Sequence, residues 1–145
     1  MQRTRQRISR YLPLIGWMIF ISVASTSEFS GENTSRIIGP LVLWLFPGTS
    51  DETLQIVHFI VRKLAHLTEY AIMGFLAARA FSTSFYGPLR RHWFLVALLL
   101  IVIYSLLDEY HQSFVPSRTA SIYDSMIDSV GGLAALVVQA KRRKP

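Results

Sequence analysis

The chain has 145 residues, no cysteine, 51% hydrophobic residues, a mean hydropathy of +0.34 and a formal net charge of +6. Disulfides and thiolate metal sites are excluded, although a missing residue type says nothing about compartment. Eleven of the fifteen Lys and Arg gather in clusters without acids (Arg3, Arg5, Arg7 and Arg10; Arg79, Arg90 and Arg91; Lys141 to Lys144), each flanking an apolar run, so the cations are expected to meet lipid phosphate and no nucleic acid.

Because short basic loops stay cytoplasmic, both termini and the turn at residues 82 to 92 are expected inside, which requires an even number of spans. The first apolar run covers about residues 11 to 26. Its end, Val23-Ala24-Ser25, resembles a weak signal-peptide cleavage site, but removal would leave an odd number of spans, so it is read as an anchor. Residues 27 to 53 carry Glu28, Glu32, Asp51 and Glu52 against Arg36 and read as an outer loop. Within it the apolar insert from Ile37 to Phe46 is too short to cross about 30 Å of hydrocarbon, so it is a re-entrant or, preferably, an interfacial segment.

A second helix is expected over about 54 to 81, longer than a span needs. Gly87-Pro88 turns the chain into a third helix over about 93 to 112, and Pro116 marks the next outer loop. The fourth helix covers about 122 to 140, with Ser121 and Asp124 in the Ser-x-x-Asp spacing of an N-terminal cap. The expected fold is all-α: residues 1 to 145 form one domain, a bundle of four transmembrane helices with an interfacial or re-entrant segment in the first outer loop.

Charges within spans are costly and normally face inward toward partners. Rise along each helix, counted from the last cytoplasmic cation, puts Lys63, Asp108 and Asp124 at roughly 25 Å, His66 and Asp128 at roughly 20 Å, and Glu69 at roughly 15 Å. Arg62, Lys63, His66, Glu69 and Tyr70 fall within about 120° of helical arc. Asp108 and Gln112 share one face of the third helix, and Asp124 and Asp128 one face of the fourth. Below these polar faces, Gly74 and Ala77 on the second helix and Gly131, Gly132 and Ala135 on the fourth would let backbones approach closely.

Two stretches are specific: Arg62-Lys63-Leu64-Ala65-His66 with Glu69-Tyr70, and Asp108-Glu109-Tyr110-His111-Gln112-Ser113-Phe114-Val115-Pro116 with Arg118, Ser121 and Asp124. Together with Gly131-Gly132 they resemble the VanZ-like family over about residues 11 to 140. The resemblance implies a small integral protein of the bacterial inner or plasma membrane, named for a protein associated with low-level teicoplanin resistance, and supplies no defined reaction. It carries over to Lys63, His66, Tyr70, Asp108, Glu109, Gln112, Arg118 and Asp124. Ser117 departs from a frequent glycine, and Asp128 from a common asparagine.

The leading expectation is a site near the outer leaflet that binds an anionic lipid or lipid-linked cell-envelope precursor. In it Lys63 and Arg118 take phosphate or carboxylate, and Tyr70, Gln112, Asp124 and Asp128 complete the contacts. An enzyme acting on a lipid headgroup is the alternative, with His66 as general acid or base beside Asp108 and Glu109. No nucleophile, Gly-rich phosphate loop or His-Glu-x-x-His motif marks catalysis. A structural ion-pair network is the third reading. No organic cofactor is implied, but His66, His111 and the carboxylates offer donors to a divalent metal.

Overall fold

The computed structural model describes residues 2–26, 31–115 and 121–143. Among these the chain is helical throughout: α1 (Gln2–Ala24), α2 (Gly31–Leu45), α3 (Asp51–Ser82), α4 (Gly87–Arg91), α5 (Trp93–Gln112) and α6 (Ile122–Arg142). One helix, α5, is long and apolar enough by itself to cross a membrane; Ile8–Ala24 and Ser35–Leu45 are shorter apolar stretches. α3 and α6 miss that standard because charges interrupt them, whatever their length.

Helix α1 starts nine residues before the expected apolar run, since Arg and Gln are good helix formers and continue the helix beyond the hydrophobic segment. The apolar insert from Ile37 to Phe46, expected to be interfacial or re-entrant, falls largely within α2, which begins six residues earlier and whose 15 residues extend about 22 Å, less than a bilayer core. It packs against α3, with Ile37, Trp44 and Phe46 left exposed. Ser50 starts α3 by accepting a hydrogen bond from Thr53 N at 3.3 Å, with Asp51 and Glu52 in the first turn, where acids suit the helix dipole. Its 32 residues run about 48 Å. The turn read at residues 82 to 92 contains a short helix, α4, begun by Pro88.

α3 is the axis of the fold and packs against α6, α5, α1 and α2. Its contact with α6 is closest where the small residues are. A Cβ on Gly74 would lie 2.6 Å from the Gly132 carbonyl oxygen and 3.2 Å from the Ala135 methyl, and one on Gly131 would strike the Leu67 backbone. Beside and below this waist, Met73, Ala77, Ala97, Ile101 and Leu136 are fully buried with Ile21 of α1. Hydrogen bonds fasten α1 along its length. Tyr11 Oη donates to Ser84 Oγ at 2.9 Å, Trp17 Nε1 to the Glu69 carbonyl at 2.8 Å, and the Tyr104 hydroxyl to the Met18 carbonyl at 2.5 Å. Polar groups occupy much of the buried interior, while Ile19, Leu64, Phe75, Leu99, Ile103 and Val130 point outward.

Candidate functional site

The small waist brings α3 and α6 together so closely that polar side chains one and two turns away must meet. Lys63 Nζ donates to Asp124 Oδ1, and His66 Nδ1 lies 3.3 Å from Asp128 Oδ1. Both contacts join residues that counting along the helices put on equal levels. Asp128 is fully buried, and neither of its oxygens has a hydrogen-bond partner among the described residues; the His66 contact is close but not aligned as a hydrogen bond.

Asp108 does not join Lys63, as its expected height implied. It gathers instead with His66 and Asp128, with one donor atom from each within 4.8 Å of the others. The expected level was referred to Arg91, which ends α4 and not α5, so the count began outside the helix. Both oxygens of Asp108 are held: Oδ1 accepts from Ser25 Oγ at 2.5 Å, and Oδ2 from Gln112 Nε2 at 3.0 Å. Gln112 Oε1 remains without a partner among the described residues. The fully buried Tyr70 hydroxyl also lacks one, although Tyr70 is near enough to Asp108 and Asp128 to feel both charges.

Glu109 uses one oxygen structurally, while its Oε1 is buried without a hydrogen-bond partner among the described residues. Its Oε2 accepts from the backbone nitrogen of Ser121 at 2.6 Å, bracing the start of α6 against the end of α5. Ser121 caps α6 as expected, its Oγ accepting from Tyr123 N at 3.3 Å, while the Asp124 carboxylate takes no part in the cap and pairs with Lys63.

Ser25 and Arg62 were not among the expected site residues. Ser25 ends an apolar run, and its polarity was the only sequence sign that the end of α1 closes over Asp108 and Gln112. Arg62 belongs to the polar stripe of α3, but Lys63 looked the better anion ligand. With Lys63 paired, Arg62 presents Nε and Nη2, both buried and without a hydrogen-bond partner among the described residues. These two nitrogens form one edge of the guanidinium fork, which matches a carboxylate or phosphate in bidentate fashion. His111 is exposed and lies outside the cluster, and Arg118 falls outside the described residues.

The arrangement is therefore two-tiered. Arg62 and the Lys63–Asp124 pair precede His66 by one turn on α3, and the His66, Asp108 and Asp128 group lies beyond them toward the glycine waist. The outer tier suits an anion, and the inner tier a proton, an amine or a metal cation. No curated protein and no solved structure matches the chain. A family model described as VanZ/LLP1 matches residues 9–140, a range that holds both tiers and every helix that builds them, and the chain accordingly belongs to the VanZ/LLP1 family.

Proposed function

We propose that this VanZ/LLP1 member is a multi-pass protein of the bacterial cell membrane, with α1, α3, α5 and α6 as its four spans and both termini cytoplasmic. Its polar cluster binds the anionic headgroup of a membrane lipid or lipid-linked envelope precursor near the outer leaflet. The membrane reading draws support from the many large apolar side chains exposed on α1, α3, α5 and α6 while charged and polar side chains are buried between the helices. α2, amphipathic and too short to cross, lies along the outer interface.

The observation that carries the headgroup reading is the unsatisfied fork of Arg62. A buried guanidinium edge without an acceptor is expensive, and a phosphate oxygen pair supplies the two acceptors it lacks. The family resemblance adds Arg118, outside the described residues, as a second cation, and Tyr70 and Gln112 offer directional contacts. Lys63, tied to Asp124, sets the position of the rim and meets the ligand from one side.

The test is mass spectrometry of lipids retained by the purified wild type and by folded Arg62→Gln. Selective loss of one lipid species from the variant is expected; identical lipid profiles would count against the headgroup reading.

A second reading, catalysis on the headgroup, draws on the His66 and Asp128 contact, since a carboxylate beside imidazole is the arrangement that orients a general base. It requires that wild type convert a retained lipid to a product of changed mass and that His66→Ala bind the lipid without converting it.

A further inference from the structure

The geometry points to a divalent metal ion, Mn²⁺ or Zn²⁺, held by His66, Asp108 and Asp128 at the centre of the bundle. The inference concerns the inner tier of the site and rests on that geometry alone; it does not need a lipid headgroup to be the outer ligand.

Three side chains from three different helices converge there. All are buried, and one donor atom of each lies within 4.8 Å of the other two. Donors around a tetrahedral zinc sit about 3.4 Å apart, as bonds of about 2.1 Å require, so a small closing movement of the carboxylates completes the triangle. His66 Nδ1 and Asp128 Oδ1 are already at 3.3 Å.

A cluster of acids alone would say little, because Asp and Glu often gather without a ligand. Here three further features bear on a ligand. Asp128 is fully buried, Oδ1 lies 3.3 Å from His66 Nδ1 and Oδ2 has no hydrogen-bond partner among the described residues, a costly state for a carboxylate unless a proton or a metal cation completes it. The Tyr70 hydroxyl and Gln112 Oε1, both in fully buried residues outside the triad, are likewise unpartnered and can hold waters of a metal's coordination sphere. Asp108 is oriented by Ser25 and Gln112, the kind of outer hydrogen bonding that fixes a ligating carboxylate.

Charge and donor type narrow the ion. Among the described residues, Asp108, Glu109, Asp124 and Asp128 lie near Arg62, Lys63 and His66, and pairing of Lys63 with Asp124 leaves more carboxylates than cations around the triad. One imidazole and two carboxylates favour first-row ions of intermediate hardness over Ca²⁺, which prefers six or more oxygens. The competing occupant is a proton shared between His66 and Asp128.

The test uses the full chain purified in detergent, stripped with chelator and titrated separately with Mn²⁺ and Zn²⁺. Wild type is expected to bind one equivalent of at least one ion and to unfold at a higher temperature with it. Asp128→Asn, which preserves shape, should lose that equivalent while eluting as a folded species. Ser25→Ala should keep the stoichiometry but bind about 10-fold more weakly. His111→Ala, on the exposed face, should bind as wild type does. Wild type that takes up neither ion, or an equivalent that survives in folded Asp128→Asn, would overturn the assignment in favour of the proton. Lipids are measured in the same preparations: metal without a retained lipid removes only the headgroup reading, and a retained lipid without metal removes only this one.

Discussion

Gly74 of α3 and Gly132 of α6 meet backbone to backbone: a Cβ on Gly74 would come 2.6 Å from the Gly132 carbonyl oxygen. The obstacle is main chain, which cannot rotate aside as a side-chain end can. Gly74→Ala must therefore push the helices apart and should destabilise the fold by about 1–3 kcal/mol, the usual range for overpacking. Gly131→Ala should act similarly through the Leu67 backbone. Gly16→Ala is the control, because nothing lies within 4 Å of its new methyl. Thermal unfolding in detergent, followed by size exclusion, should rank both waist variants below wild type and Gly16→Ala near it.

The Lys63–Asp124 pair separates support from ligand binding. Removing Lys63 leaves a carboxylate only 5% exposed without its cation, and the loss should approach the about 3 kcal/mol at the lower end for broken buried pairs, because Lys63 itself is 21% exposed. Lys63→Met combined with Asp124→Asn removes both charges and should recover part of that stability. A double variant no more stable than Lys63→Met would mean that Asp124 does not depend on this lysine.

Helical counting put Lys63 level with Asp124 and His66 level with Asp128, because rise and phase are fixed once a helix is given, but it did not choose between Asp108 and Asp124 as the partner of Lys63. The glycine waist was legible for the same reason. Asp108 was placed on the wrong tier because Arg91, the reference cation, belongs to a five-residue helix hidden in the turn. Ser25 closes over Asp108 across 83 positions of sequence, and no local pattern encodes such a contact. Whether Arg62 or Lys63 is left without a hydrogen-bond partner among the described residues is likewise decided by packing: neighbours on one stripe look equivalent until Asp124 takes one of them. The four-span topology goes beyond what composition supports, since the charges that build the site lower the hydropathy of α3 and α6.

Glu109 should behave as a brace and not as a catalytic acid. Its bond to Ser121 N satisfies a donor at the start of α6, so Glu109→Ala should cost about 1 kcal/mol, while Glu109→Gln, which keeps an acceptor, should cost less. If a headgroup reaction is found, Glu109→Gln should retain most of its turnover. A complete loss of turnover in a folded Glu109→Gln protein would return the residue to the reaction.

The resemblance to a teicoplanin-resistance namesake yields a cellular prediction through Arg62. If the guanidinium fork engages an envelope precursor, Arg62→Gln should shift teicoplanin tolerance in a host where expression of the wild type alters it, at equal protein abundance. Arg62→Lys restores charge but not the bidentate edge and should recover only part of the effect. Full recovery with lysine would mean that charge alone suffices and that the fork has no special role.

Topology is open to a clean experiment because the natural chain has no cysteine, so each introduced thiol reports one place. Asp51 opens α3 and is exposed beside the acidic first loop, whereas Arg143 ends α6 next to the basic tail. On the positive-inside expectation these ends lie on opposite sides. A membrane-impermeant maleimide should label Asp51→Cys in intact cells, and Arg143→Cys and Arg90→Cys only after the membrane is opened. The α4 position matters most, because it separates a four-span bundle from α5 crossing alone with the other helices lying on one surface. Labelling of Arg90→Cys in intact cells would put the α4 turn outside, reverse the tiers of the polar site relative to the outer leaflet, and leave Arg62 facing the wrong side for an external headgroup.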